Sequence, residues 1–405
     1  MRILVLSDLY PPVAFGGYES ETSALVDGLR ERHDVMVLTS ERDAASAPPD
    51  ARVRRALPYV GPRRREVARA PVAAARAARA TRAVIDSFDP DLVYVANSVA
   101  IPQAAPLVAA AGGLPVVYRL SELFMAESLY RGDRYLRNLL PGQRGVRAPW
   151  AAAVRLVNRH AALRLEPAAP ARAAVSWASD ALRAHVTLPP SVDVTLERTI
   201  HPATTHEAAF SAIERAPAAV PEVLYLGRVT TAKGIEVAYH ALAALRHEHG
   251  IEARLVQAGA AKPEKAKALE RLAADLGLAD AIDVRGQLGT AEVARALATA
   301  GAIVLPTVEW DVFPLVLIEA GLARVPVVAA RIGGVPEAIA DGEHALLFEP
   351  GDAQACAAAL ASVFRDPEGA AARAERAFER MQELSLARYR ERSESFILDA
   401  AEALG

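Results

Sequence analysis

The sequence predicts an α/β protein made of two parallel-sheet domains, and three observations lead there. Short apolar runs alternate with helical stretches along most of the 405 residues. An Ala-, Thr- and Pro-containing segment at 201–221 interrupts the alternation, which restarts beyond it. The length makes two domains the default, and 52% hydrophobic residues supply two cores.

In the first half, strand candidates are 3–7, 35–39, 52–57, 92–96, 115–120, 173–176 and 192–200, with helices near 18–31, 63–87, 100–111 and 178–186. Such alternation buries a parallel sheet under helices on both faces. Ligands of these sheets bind beyond the carboxyl ends of the strands. After the first strand, Pro11-Pro12 leads through Gly16 and Gly17 into a helix. Two glycines permit close backbone approach and expose amides, although many turns contain such a pair. The fifth strand ends in Arg119-Leu120-Ser121-Glu122, where Ser121 could orient a hydroxyl or Glu122 could pair with Arg119. Residues 123–170 form a long insertion carrying Tyr130, Tyr135, Trp150 and eight Arg.

The second half opens with a strand from 222, after which Arg228 and Lys233 bracket a strand-to-helix turn. A forked and a point charge at that spacing suit a diphosphate; as isolated charges they read as surface residues. Units at 252–258, 264–276, 282–285 and 290–300 follow, with Gly286-Gln287 at one strand end. The apolar run 302–305 then leads through Pro306 to Glu309, Trp310, Asp311, Val312, Phe313 and Pro314, and into a helix. A proline suits the first helical turn, and a helix start presents free amides to an anion. Glu319 lies among apolar neighbours with no Lys or Arg within four residues on either side. A buried carboxylate needs partners, either a distant Arg or a pair of sugar hydroxyls, since an ionised carboxylate only accepts.

Asp311 and Glu319, followed by Gly321, Pro326-Val327-Val328, Gly333-Gly334, Pro336-Glu337 and Asp341-Gly342, resemble the acid-x7-acid region of retaining family 4 glycosyltransferases. The first acid there is usually Glu, and here it is Asp, so Glu309 is a competing candidate. The resemblance implies a GT-B fold, two Rossmann-like domains facing across a cleft. It implies an acceptor-side domain at 1–200, a linker at 201–221, a nucleotide-sugar domain at 222–384 and a helix at 385–405 crossing back. It assigns Arg228 and Lys233 to the donor diphosphate and Glu319 to the ribose. Asp311, with the backbone around Phe313, Pro314, Leu315 and Val316, takes the donor sugar and phosphate. Gly286 and Gln287 seat the base, and Gly16 and Gly17 face the donor. Many relatives carry His where this chain has Ser121, and serine lacks a useful pKa for proton transfer. In the family's usual scheme the departing phosphate takes the acceptor proton. The expected function is therefore retaining transfer of a sugar from a nucleotide diphosphate sugar to an unidentified acceptor. A nucleotide-sugar epimerase of the same fold, or a non-catalytic nucleotide-sugar binder, is the alternative.

Composition limits the partners. Residues 1–200 hold 26 Arg, no Lys and 20 acids, against a net charge of −3 for the whole chain. The basic half, with Arg63, Arg64, Arg65, Arg69, Arg76, Arg79 and Arg82 in one helix, reads either as a solvated surface or as a peripheral contact with anionic membrane. Aromatics at 5% give no stacking platform for nucleic acid. Leu92–Tyr118 is uncharged, but its prolines and Gly112-Gly113 divide it into strand, helix and strand rather than a span. The single Cys356 suits a reducing, cytoplasmic setting, and no targeting segment is expected. Asp89-Pro90-Asp91 precedes a strand and reads as a turn rather than a metal site. No metal or other cofactor is expected. The P-loop is absent, and so is the dinucleotide fingerprint, whose absence argues against an oxidoreductase.

Overall fold

The computed structural model describes residues 1–12, 16–42, 47, 50–60, 70–122, 171–188 and 192–405. The chain forms two compact units, Met1–His201 with Tyr389–Gly405, and Pro202–Arg388. The insertion at 123–170 and the arginines at 63–65 and 69 lie outside the described residues.

The first unit contains β1 (Arg2–Ser7), α1 (Gly17–Leu29), β2 (Asp34–Ser40), β3 (Val53–Leu57), α2 (Ala70–Phe88), β4 (Leu92–Val95), α3 (Ala104–Ala111), β5 (Val116–Leu120), β6 (Ala171–Trp177), α4 (Asp180–His185) and β7 (Val192–Thr199). Its seven strands run parallel in the order β3-β2-β1-β4-β5-β6-β7. Ile3 to Leu6 and Leu92 to Val95 are buried throughout. Continuous apolar runs of this kind are what a strand covered on both faces requires. The strand order reverses between β1 and β4, so the crevice for a ligand lies beyond their carboxyl ends.

The second unit contains α5 (Glu207–Ser211), β8 (Glu222–Leu226), a 3₁₀ turn (Thr231–Lys233), α6 (Ile235–His247), β9 (Arg254–Ala258), α7 (Pro263–Asp275), β10 (Ile282–Gly286), α8 (Thr290–Thr299), β11 (Ala302–Leu305), α9 (Leu315–Leu322), β12 (Val327–Ala330), α10 (Val335–Ala338), β13 (Leu346–Phe348), α11 (Ala353–Arg365) and α12 (Pro367–Gln382). Its six parallel strands run β10-β9-β8-β11-β12-β13, with the reversal between β8 and β11. Helices α6 and α11 pack against each other, and Leu242, Tyr239, Leu360 and Cys356 belong to the core they share. Burial pushes the Cys356 thiol up, so it remains a protonated packing residue. The segment 201–221 is not a featureless connection: buried Phe210 anchors α5 within it, against α8 and α9.

The last helix, α13 (Leu386–Leu404), buries Tyr389, Ser393, Phe396, Ile397 and Ala400 along one stripe. From Tyr389 onward it belongs to the first unit. There, Arg119 Nη2 donates to Glu21 Oε1 of α1 at 3.0 Å and Nη1 to the Ile200 carbonyl at 2.6 Å. The guanidinium also lies 5.5 Å from the centroid of the Tyr389 ring. A pair between Arg119 and Glu122 is therefore corrected. Arg119 sits inside β5 under α1 and α13, whereas Glu122 lies beyond the strand end. Glu394 adds an ion pair with Arg32 and a contact of 2.9 Å to His33.

Because Arg119 and Glu21 are each only 3% exposed, removing one leaves a buried charge without its partner. Arg119→Ala is expected to destabilise the protein by about 3–5 kcal/mol in urea unfolding. Replacing both Arg119 and Glu21 with apolar residues should cost less than the sum of the two single changes. A single-variant loss below about 1 kcal/mol would contradict the role given to this pair.

Candidate active site

In the second unit the candidate donor residues gather at the carboxyl ends of β8, β10 and β11. Beyond β8 the chain turns through Arg228 to Thr230, whose hydroxyl accepts from the Lys233 amide at 3.3 Å. Gly234 then adopts φ 69°, and a Cβ there would lie 1.7 Å from the Pro306 carbonyl oxygen. Only glycine allows that approach, and it sets the turn against the loop that follows β11. The Ala232 carbonyl accepts from the Val308 and Glu309 amides at 3.0 and 3.1 Å. These contacts bring the Lys233 ammonium onto Asp311 Oδ2 in an ion pair. The two side chains are 29% and 11% exposed, so the pair is partly desolvated. Glu309, the competing first acid, has an exposed side chain.

The loop after β12 fixes Asp311 from the other side. Gly333 has φ 54°, and a Cβ there would stand 1.8 Å from the Asp311 carbonyl oxygen. The Gly334 amide donates to that same oxygen at 3.0 Å. Pro314 occupies the N-cap of α9 rather than its first helical position, and no side chain caps the helix. The Leu315 and Val316 amides thus begin a helix whose positive end lacks a side-chain acceptor. Phe313 is buried beside them.

Glu319 lies on α9 and is half-buried. None of the ion pairs among the described residues includes it; its hydrogen-bond partner is the hydroxyl of Thr204. Burial pushes its carboxyl up to about 7, with the Thr204 bond pulling the other way. Of the two partners the sequence left open, a distant Arg is therefore not found among the described residues. Arg228 is exposed, and among the described residues no carboxylate pairs with it. Its carbonyl accepts from the buried Tyr225 hydroxyl at 2.8 Å, which braces the loop. Gly286 ends β10, where its carbonyl accepts from the Gly259 amide at 2.6 Å, and Gln287 is exposed.

In the first unit, Gly16 and Gly17 stand at the start of α1, with the Gly16 amide donating to Glu19 Oε2 at 3.0 Å. Gly16 has extended backbone, and among the described residues a Cβ there would meet only Glu19 Oε2, at 3.7 Å. Ser121 is buried just beyond β5, and Glu122 follows it.

Three further polar groups were not singled out from the sequence. Asp8, beyond β1, accepts from the Ala100 and Ile101 amides at 2.9 and 3.0 Å. Burial pushes its carboxyl up to about 7, those amides pull it down, and the charge of Glu122 raises it further. Lys265 of α7 pairs with Glu236 and donates to Thr231 at 2.6 Å, beside the Lys233 turn. Thr204 lies in what reads as linker sequence. The one available signal was Asp8, an acid directly after an apolar strand. Among the described residues no group of three His, Cys, Asp or Glu is placed to hold a metal.

Residues 208–380 match the family model described as Glycosyl transferases group 1, and residues 15–163 match Glycosyltransferase Family 4. The chain belongs to glycosyltransferase family 4. Its GT-B fold is shared with the Anabaena protein HepE, solved in complex with UDP, at TM-score 0.65 and 18% identity over 98% of this chain and 99% of that one. D-inositol 3-phosphate glycosyltransferase of Streptomyces avermitilis is 36% identical over 153 residues, 36% of this chain and 32% of that protein. The MMP alpha-(1->4)-mannosyltransferase of Mycolicibacterium hassiacum is 35% identical over 136 residues, 33% of this chain and 32% of that one. The matched region thus spans about a third of the length of these curated relatives.

The Glu319 carboxyl of this family 4 chain gives a pH test. Its folded-state value of about 7 lies above the ordinary 4.5, so the contribution of the neutral acid is full below that ordinary value. It is lost as pH rises through about 7. Glu319→Gln should therefore gain stability relative to wild type as pH rises from about 4.5 to about 7, and no further above that, in thermal melts. A constant difference across that range would show that Glu319 is not desolvated.

Proposed function

We propose that this chain transfers a sugar from a nucleotide diphosphate sugar to a hydroxyl-bearing acceptor, with retention at the anomeric carbon. The observation that carries the reading is the convergence at one end of one sheet of Lys233, the uncapped start of α9 and Glu319, which has no ion pair among the described residues. The bond from the anomeric carbon to the diphosphate breaks, and the new bond forms on the same face. The acceptor proton leaves on the departing diphosphate, so Ser121 need not act as a base; Ser121 and Glu122 orient the reacting hydroxyl. Arg228 and Lys233 carry the charge developing on the diphosphate, helped by the amides at the start of α9, and no metal is required. Glu319 accepts from the ribose diol, Gly286 and Gln287 flank the base, and Asp311 accepts from the donor sugar. That HepE, of the same fold, was solved in complex with UDP supports a nucleotide diphosphate sugar as donor, and the names of the curated relatives support hydroxyl-bearing acceptors.

The deciding experiment incubates the protein with a panel of nucleotide sugars, with and without acceptor extract. Nucleotide release that depends on the acceptor is expected. Release without acceptor would instead indicate hydrolysis or epimerisation, and binding without release a sensor, the outcome that Ser121 in place of His would favour.

Two variants separate the acids. Asp311→Asn should lower turnover without loss of nucleoside diphosphate affinity, and Glu319→Gln should weaken nucleotide binding whether or not a sugar is attached. Arg228→Ala should weaken the diphosphate more than the nucleoside, by about 1.5–3 kcal/mol in calorimetry. Equal losses for both ligands would remove Arg228 from the diphosphate. Full turnover in Asp311→Asn, with loss in Glu309→Gln, would move the sugar contact to Glu309.

Peripheral contact with anionic membrane is the finer part of the reading. Its support is the charge of the first half of the chain. Among the described residues, Arg79 is exposed on α2 while Arg76 is engaged by Glu41 at 2.6 Å. No helix among the described residues is long and apolar enough to cross a membrane. Co-sedimentation with anionic vesicles should fall steeply with salt; none at low salt would leave a solvated surface.

A further inference from the structure

The second unit holds a cavity of about 440 Å³ lined in part by Pro221, Gly301 and Pro326. These residues immediately precede β8, β11 and β12. The cavity therefore opens beneath the amino ends of the strands whose carboxyl ends carry the donor candidates. Its size lies within the range of small-molecule sites, roughly 300–1,000 Å³. The walls are mostly apolar. Phe364 forms one of them by occupying the space above Gly301, where a Cβ would lie 2.8 Å from its ring.

The polar groups of the wall are few, and they are unequally satisfied. Arg324 is neutralised: its Nε donates to Glu375 at 2.9 Å, and its guanidinium stacks 3.4 Å from the centroid of Phe378. Arg324 also holds φ 53°, a conformation a side-chain-bearing residue adopts at a cost. Arg215 has no such acid. It donates to the Leu297 carbonyl and, at 2.6 Å, to the Ala300 carbonyl. Those are dipoles at the end of α8, not charges, and none of the ion pairs among the described residues includes Arg215. Burial alone lowers its pKa, to about 10. A guanidinium has five N–H donors, so further donors remain for a ligand.

We propose that this cavity binds a small amphiphilic carboxylate, its apolar body among the walls and its carboxylate on Arg215. One uncompensated guanidinium in an apolar pocket matches one monoanion, and a planar carboxylate matches its fork. A dianionic phosphate would bring a second charge that nothing else in the wall offsets, because Arg324 is already held by Glu375.

Calorimetry on the full chain with decanoate and with decanol tests this directly. The two share an alkyl chain and differ in charge. Decanoate should bind saturably, one per chain, and at least about tenfold more tightly than decanol. Arg215→Gln should erase that difference. Ala218→Trp, which fills the cavity from the segment facing α8, should abolish binding of both. Since Arg215 also caps α8, its variant could fail to fold; the comparison of the two ligands on wild type and Ala218→Trp then decides alone. Decanol binding as tightly as decanoate, binding that survives Ala218→Trp, or uptake without saturation would each overturn the proposal.

Discussion

The ion pair between Lys233 and Asp311 joins two loops that are distant in sequence and adjacent in the sheet. Strands β8 and β11 are neighbours at the point where the strand order reverses, so the loops leaving them meet by topology. Backbone contacts then fix their approach: the Gly234 turn seats against Pro306, and the Ala232 carbonyl takes two amides from the β11 loop. Gly333 and Gly334 close on Asp311 from the β12 side. The pair is therefore imposed by main-chain geometry rather than formed by two free side chains. Side chains held this way lose little rotamer freedom on pairing, unlike exposed surface pairs. Partial burial makes the loss of either partner costly to the other.

The same arrangement sets the electrostatics at the start of α9. Two acids lie eight residues apart around one helix start, in different environments. Asp311 is compensated by an ammonium, whereas Glu319 has a hydroxyl partner and a carboxyl raised by burial to about 7. Divergent environments for paired carboxylates commonly mark separate roles. Under the proposed function they separate an acid beside a cation from a carboxyl that would meet the neutral ribose diol. An uncapped helix start between them leaves backbone donors for an anion.

Much of this was legible in the sequence, and the misses share a cause. The alternation of elements and the Pro306–Ala320 stretch are local patterns, so strand ends, helix starts and both acids could be read from spacing. Partners are not local. Thr204 reaches Glu319, and Glu21 reaches Arg119, from far along the chain, and neither pairing leaves a spacing signal. Thr204 was further hidden in a segment whose composition reads as linker; the buried Phe210 that anchors it is a single residue. The assignment of Gly16 and Gly17 to the donor came from the family resemblance rather than from local geometry, and Gly16 stands in extended backbone at the start of α1. Whether position 234 demanded glycine could only be known once Pro306 was placed against it.

The most direct test of the Lys233–Asp311 arrangement is a double-mutant cycle on nucleoside diphosphate affinity, using Lys233→Ala, Asp311→Asn and the double variant. If the two side chains form one unit at the diphosphate site, the effect of Asp311→Asn should depend on Lys233. The expected coupling is about 0.5–3 kcal/mol, the range for residues in contact. Strictly additive losses, or a Lys233→Ala variant that binds nucleoside diphosphate as wild type does, would contradict the placement of the donor phosphates at this pair.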